Sequence, residues 1–341
     1  MEKAAIVGPG HGPNGSPLAI AISPVLSGRD AFAGMRERIL QVAPETRLIP
    51  VSAEGLADEP LDEVEVLLRG WSLGGDQLDR FVGRAPKLRW IHSVSVGVEA
   101  MLTPCVRLRG LTVTNGRRVF DQPIAEYVLT MILAICRRLP QLLDLQRERT
   151  WQPLEALELR ETTIGLVGLG GIACEIARLL EPFGPRIVAV RHNPAHGSID
   201  GVELLGGTDA LPSLLAQSDF VVLALPLTGE TGAIVDDHSL SRMKRGSWLI
   251  NVSRGALVDE AALLRALRMG PMGGAVLDAF RTEPLPESSP FYRLPNCIVT
   301  PHTSWSSDAV IGRVFDVFCE NLAKYRAGEP LDFVVDQEAG Y

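Results

Sequence analysis

The sequence predicts an α/β protein built on parallel sheets and divided into two domains. Three observations carry this. The chain has 341 residues, more than one hydrophobic core usually serves. Short apolar runs alternate with stretches of helical periodicity in two successive series, the pattern of strands joined by crossover helices. A glycine-rich turn joins an apolar strand to a helix at the start of the second series.

In the first series, residues 18–22, 46–51, 64–68 and 88–91 read as strands, with helices at 29–42 and near 76–82. A long helix is predicted to start near Asp121 as N-cap, with Pro123 in its first turn, and to run past Arg137. Its apolar residues lie on nearly every side, which predicts burial, partly against a second subunit. The second series has strands at 163–167, 186–190, 220–225, 247–251, 274–277 and 297–299. Helices are predicted between them at 172–180, 211–216, 239–244 and 259–268. Six strands with crossovers match a complete dinucleotide-binding domain. A last helix is predicted at 308–326.

Composition narrows the function classes. Hydrophobic residues make up 46% and charged residues 22% of the chain, as in ordinary globular enzymes. The net charge of −8 argues against nucleic acid as a partner, because phosphate contacts need clustered Lys and Arg. Five scattered cysteines without a C-x-x-C pair read as reduced thiols, and neither they nor the histidines His11, His192, His196 and His238 have metal-ligand spacing. No metal is expected. The most apolar stretch, 128–136, is too short to cross a bilayer, and no secretory signal is visible, so the expected location is the cytoplasm. The glycine- and proline-rich segment 8–13 is interrupted by prolines and reads as a flexible extension.

The clearest motif is Gly168-Leu169-Gly170-Gly171-Ile172-Ala173, at the end of an apolar strand and the start of a helix. Gly168 permits a tight turn, Gly170 lets backbone approach a pyrophosphate, and Ala173 allows close helix–strand packing. The helix N-terminus offers N–H groups and a positive dipole end to the anion. Downstream, three strand ends carry reactive side chains: Asn251-Val252-Ser253-Arg254-Gly255, Asp278-Ala279-Phe280-Arg281-Thr282-Glu283-Pro284, and Thr300-Pro301-His302. Ligands bind at the carboxyl ends of strands in such sheets, so an Arg, a Glu and a His delivered to one edge can meet.

These blocks, with Leu88-Arg89-Trp90-Ile91-His92-Ser93, Gly97-Val98-Glu99, Ala125-Glu126-Tyr127, Pro226-Leu227-Thr228 and Glu320-Asn321-Leu322, resemble the D-isomer-specific 2-hydroxyacid dehydrogenase family over most of the chain. The resemblance implies two Rossmann-like doubly wound domains with a cleft between them and a homodimer. The substrate-binding domain would be 1–118 with 307–341, and the NAD(P)-binding domain 119–306. It implies interconversion of a small 2-oxo acid and its D-2-hydroxy acid by hydride transfer, with glyoxylate or hydroxypyruvate as the expected substrate. His302 would be the acid–base residue, a role suited to imidazole near neutral pH. Glu283 would orient its ring and stabilise imidazolium, and Arg254 would bind the substrate carboxylate through its fixed fork. Ser95, Val96 and Gly97 would also contact substrate. Cofactor contacts would come from Gly168, Gly170, Gly171, Ile172, Leu225, Pro226 and Val252, with Asp278 at the nicotinamide carboxamide.

Two departures from the family pattern stand out. Arg118 occupies a position where the family often has Gly. Arg191, at the end of the second strand of the dinucleotide domain, replaces an acidic residue. A carboxylate there accepts from the ribose hydroxyls and repels a 2′-phosphate, so Arg191-His192-Asn193 predicts NADP as the preferred cofactor, with NAD as the alternative. Phosphoglycerate oxidation remains open through Arg69 as a phosphate partner, although Arg69 and Arg117 read equally well as solvated surface. A dinucleotide-sensing corepressor is a third reading, against which the short tail after Gly328 weighs. Formate oxidation is disfavoured, because Glu283 stands where that branch carries Gln. His92 reads as a packing residue in preference to a substrate contact.

Overall fold

A computed structural model describes residues 17–24 and 29–340. The segment 8–13, with His11, lies outside the described residues. The chain divides into two compact units, Met1–Val119 with Asp308–Tyr341, and Phe120–Ser307.

The first unit contains β1 (Ala19–Ile22), α1 (Arg29–Val42), β2 (Arg47–Pro50), β3 (Val64–Arg69), α2 (Gly75–Arg84), β4 (Trp90–Ser93), α3 (Pro104–Leu108) and β5 (Thr112–Thr114). The five strands form a wholly parallel sheet in the order β2-β1-β3-β4-β5. The inner strand β1 is buried at all four positions, as in a sheet covered on both faces, and Ile20, Leu67 and Ile91 are fully buried. Strand β5 was not expected from sequence, since Thr112-Val113-Thr114 is only three residues long with one apolar member. Helix α3, also unforeseen, starts at a Thr103 cap whose Oγ1 accepts the Val106 N–H, with Pro104 in its first turn. Arg109 closes the end of α2 by donating to the carbonyls of Val82, Ala85, Pro86 and Leu88 at 2.7–3.0 Å.

The second unit contains α4 (Asp121–Cys136), α5 (Leu139–Arg147), β6 (Thr163–Val167), α6 (Gly171–Leu180), β7 (Arg186–Val190), β8 (Val202–Gly206), α7 (Leu211–Gln217), β9 (Phe220–Leu223), α8 (Asp237–Ser241), β10 (Trp248–Asn251), α9 (Glu260–Met269), β11 (Gly274–Leu277) and β12 (Cys297–Val299). Seven parallel strands run in the order β12-β11-β10-β9-β6-β7-β8. The order reverses between β6 and β9, and the crevice at such a switch point is where doubly wound sheets bind ligands. The chain ends with α10 (Val310–Ala327) in the first unit, where Phe318 and Tyr325 stack on Trp90 at ring distances of 5.4 and 5.3 Å.

Two expectations are corrected. The cap of α4 is Phe120, and Asp121 is the first helical residue. The helix also stops at Cys136 instead of running past Arg137, because Arg138 adopts φ 56 and breaks the hydrogen-bond ladder before α5 begins. The seventh strand, β8, escaped the sequence pattern. It is an edge strand that ends at Gly206 (φ 143), and its polar Glu203 faces outward to pair with Arg186 at 2.7 Å.

Candidate active site

The dinucleotide loop leaves β6 at the switch point. Gly168 has φ 96, and a Cβ there would lie 2.5 Å from the Ala224 carbonyl, so only glycine fits where β6 and β9 part. At Gly170, in contrast, a Cβ would meet nothing within 4 Å. The open side of the loop therefore lies at Gly170, directly before the first turn of the ten-residue helix α6. Gly171 is glycine for another reason: a Cβ would run into the Asp121 carboxylate at the start of α4, so this residue sets the close approach of α4 to α6. Ile172 is half-buried and Ala173 buried. An exposed glycine at a helix N-terminus is the arrangement a pyrophosphate requires, and these residues fit a dinucleotide.

The end of β7 presents Arg191, His192 and Asn193 without a carboxylate among them. Arg191 donates to the Gly197 carbonyl at 2.8 Å, and Asn193 caps the short turn 194–196 by accepting from the Ala195 N–H. His192 Nδ1 lies 3.7 Å from Glu230, an exposed neighbour that sequence spacing did not bring forward. After β9, Leu225 is half-buried and Pro226 exposed. The Pro226 carbonyl accepts from Thr231, which in turn accepts the Thr228 N–H, a bracing that fixes this loop.

Arg254 follows β10 in extended conformation, and its Nη1 donates to the Ser253 carbonyl at 3.0 Å. Its backbone is tied on both sides: Asn251 donates to the Arg254 carbonyl and accepts from the Ser253 N–H, and Ser253 Oγ donates to the Leu223 carbonyl. Val252 is buried. Gly255 must be glycine because a Cβ would collide with the Phe280–Arg281 backbone leaving β11. That close approach carries the Arg254 segment past the segment that bears Glu283.

His302 Nδ1 is 2.8 Å from Glu283 Oε2, and Glu283 Oε1 accepts the Phe280 N–H at 2.8 Å. Both side chains are a little over one-third exposed, so the pair sits at the surface of its unit with the second imidazole nitrogen clear of Glu283. The His302 backbone has φ 50, unusual for a residue with a Cβ. Its N–H donates to the Thr300 carbonyl, and its own carbonyl accepts from Trp305 Nε1 at 2.7 Å. Asp278 is fully buried at the end of β11 and accepts from Thr300 Oγ1, Thr303 N–H and Ser304 N–H. The structure thus brings Glu283, Asp278 and His302 together. Sequence reading missed Trp305, which carries no spacing signal, and gave Thr300 no role of its own.

In the first unit, Ser95, Val96 and Gly97 form a half-buried loop after β4. Ser95 Oγ donates to the Gly97 carbonyl, Gly116 N–H to the Ser95 carbonyl, and Asn115 to the Val96 carbonyl. Carbonyls are satisfied, while among the described residues no acceptor takes the N–H groups of Val96 and Gly97. Arg69 is buried, not solvated: it donates to the Leu73 carbonyl and to Ser93 Oγ, and burial pushes it down to about 10. Arg117 is exposed. His92 is wholly buried between Trp90 and Phe318, with Nδ1 2.8 Å from Thr114 Oγ1, so it is a packing residue. Arg118 takes the left-handed φ 71 that Gly adopts without strain, and its guanidinium lies 5.5 Å from the Phe333 ring centre. Among the described residues no cluster of three or more His, Cys, Asp or Glu could hold a metal ion, and no helix is long and apolar enough to cross a membrane.

Comparison with known proteins finds similar chains. The chain is 35% identical over 277 residues to the glyoxylate reductase of Korarchaeum cryptofilum, covering 78% of this chain and 82% of that one. Among solved structures it is similar to a D-isomer specific 2-hydroxyacid dehydrogenase from Xanthobacter autotrophicus Py2 in complex with NADPH and MES. The TM-score is 0.85 at 31% identity, covering 96% of this chain and 100% of that one. It also resembles an NADPH-dependent glyoxylate/hydroxypyruvate reductase from Sinorhizobium meliloti in complex with NADP and sulfate. There the TM-score is 0.82 at 27% identity, with 96% and 100% covered. Residues 129–304 match the family model described as the NAD binding domain of D-isomer specific 2-hydroxyacid dehydrogenases, and the chain belongs to that family.

Proposed function

We propose that this protein is an NADPH-dependent reductase of glyoxylate, hydroxypyruvate or a related small 2-oxo acid. The observation that carries the reading is the His302–Glu283 pair on a dinucleotide-binding sheet. Bound NADPH would supply the hydride. His302 would deliver the proton to the carbonyl oxygen from Nε2, since Nδ1 is engaged by Glu283, and Glu283 would keep the ring in that tautomer and stabilise its charged form. Arg254 would hold the substrate carboxylate, and the available N–H groups of Val96 and Gly97 suit an anionic oxygen. Gly168, Gly170, Gly171, Ile172, Leu225, Pro226 and Val252 would line the dinucleotide. Asp278 has one acceptor position left on Oδ2, which a carboxamide N–H could use.

Preference for NADP rests on Arg191, His192 and Asn193 at the end of β7, and on the NADPH or NADP held by the similar solved proteins. The domain assignment follows the same lines, with 119–306 binding the dinucleotide and 1–118 plus 307–341 the substrate. We further infer a homodimer, because Leu139, Leu142 and Leu143 of α5 and the fully exposed Trp151 leave a large apolar surface in water. The cysteines are all unpaired, which suits the cytoplasm.

The reading is tested by following NADPH absorbance with purified protein and a panel of 2-oxo acids. Turnover of glyoxylate and hydroxypyruvate is expected. Activity confined to phosphorylated substrates, or none with any 2-oxo acid, would overturn it.

A further inference from the structure

Asp278 is a buried carboxylate with no ion-pair partner among the described residues. Its charge is met instead by three hydrogen bonds from one turn: Thr300 Oγ1 at 2.6 Å, Thr303 N–H at 2.8 Å and Ser304 N–H at 2.9 Å. These donors flank His302 on both sides. The positive φ of His302 is unfavourable for any residue with a Cβ and persists only where the surroundings hold it. The Asp278 contacts contribute to that hold, together with Trp305 Nε1 on the His302 carbonyl.

The chain of contacts extends further. Tyr127 Oη, on α4, lies 2.6 Å from Thr300 Oγ1. A threonine hydroxyl has one proton, and here it goes to the Asp278 carboxylate, which has none to give. Thr300 therefore accepts from Tyr127, and both hydroxyls point their protons toward Asp278. Burial pushes Tyr127 up to about 12, so it remains a donor throughout the physiological range. Six positions earlier on the same helix, Asp121 lies against Gly171 at the dinucleotide loop. Helix α4 thus touches both the loop and, through Tyr127, the turn that carries His302.

We propose that Tyr127 is a positioning residue for the reaction: acting through Thr300 and Asp278, its hydroxyl holds the turn that sets the His302 imidazole. This rests on the acid–base role given to His302 above. A tyrosine of α4 that merely fills space would be replaced by phenylalanine without effect on the turn.

The test compares Tyr127→Phe, Thr300→Val, the double variant and Thr300→Ser. Two readouts are needed: steady-state kinetics with glyoxylate and NADPH, and amide hydrogen exchange of residues 300–305 in the resting enzyme. Tyr127→Phe is expected to lower kcat about 3- to 10-fold, the scale of one hydrogen bond, with the KM for NADPH nearly unchanged. The Thr303 and Ser304 amides should exchange faster, while β10 and β11 keep their protection. Because both substitutions cut one chain, the double variant should be no worse than Thr300→Val alone. Thr300→Ser restores the hydroxyl and should keep the turn protected. Wild-type exchange at Thr303 and Ser304 in Tyr127→Phe, or fully multiplicative losses of kcat in the double variant, would overturn the proposal. Exchange needs no turnover. If the wild type fails to reduce glyoxylate, the functional reading falls, and the exchange data still decide the role of Tyr127.

Discussion

Glu283 holds His302 through one carboxylate oxygen and its own backbone neighbourhood through the other. Oε2 lies 2.8 Å from His302 Nδ1, and Oε1 accepts the Phe280 N–H at 2.8 Å. The carboxylate is therefore oriented before the imidazole meets it, and the ring inherits that orientation. Replacing Glu283 by Gln keeps an acceptor for Phe280 but removes the charge facing the ring. Glu283→Gln should therefore lower kcat for 2-oxo acid reduction, by less than removal of His302 does. A wild-type kcat in this variant would separate Glu283 from the acid–base step.

Arg254 follows the same logic of a fixed fork on a fixed backbone. Asn251 and Ser253 pin the chain on either side, so the guanidinium starts from a defined position. Arg254→Lys keeps the charge and loses the planar pair of donors. We expect kcat/KM for carboxylate substrates to fall by at least about 10-fold, read directly as lost transition-state binding. Wild-type kinetics would return Arg254 to a structural role.

The proposed preference for NADP places cofactor choice at the end of β7. Wild type should have the higher kcat/KM with NADPH, and Arg191→Asp should reverse the ratio by introducing the carboxylate that accepts ribose hydroxyls and repels a 2′-phosphate. The measurement is kcat/KM for both reduced cofactors in both proteins. Equal or better use of NADH by the wild type contradicts the assignment, as does a ratio that the substitution leaves alone.

Much of this was readable from the residues, for identifiable reasons. Strands β6, β7, β11 and β12 were bounded as they stand because each is a short apolar run set off by turn residues. The glycine loop was legible because its three roles need small residues, Gly168, Gly170 and Ala173, at a fixed spacing. The break between α4 and α5 was not, because it depends on Arg138 entering the left-handed region, and arginine gives no warning of that. Gly171 reads as a cofactor contact from its place in the loop. Its packing role against Asp121 joins residues fifty positions apart, beyond any local pattern. The Tyr127–Thr300 contact spans 173 positions and is likewise a product of the fold alone.

Stability should carry the signature of His92. Burial pushes its imidazole down from 6.5 to about 3, and Nε2 has no hydrogen-bond partner among the described residues. The folded state therefore holds it neutral where the unfolded chain would bind a proton. Its contribution is complete above pH 6.5 and is lost as the pH falls toward 3, by roughly 1 kcal/mol for each pH unit. Urea unfolding from pH 7 to pH 4.5 should lose stability more steeply in the wild type than in His92→Gln, which cannot be charged. Parallel curves for the two proteins would show that His92 is not the acid-sensitive group.

The central claim is that His302 supplies the proton in an NADPH-dependent reduction, and His302→Asn tests it most directly. The kinetics of glyoxylate reduction and the affinity for NADPH are measured side by side in the wild type and this variant. Asparagine preserves a polar side chain in the turn but has no proton to give. The expected kcat is lower by roughly 10²–10⁴-fold, the usual contribution of a positioned acid, with NADPH binding nearly unchanged. A variant that reduces glyoxylate at the wild-type rate would contradict it.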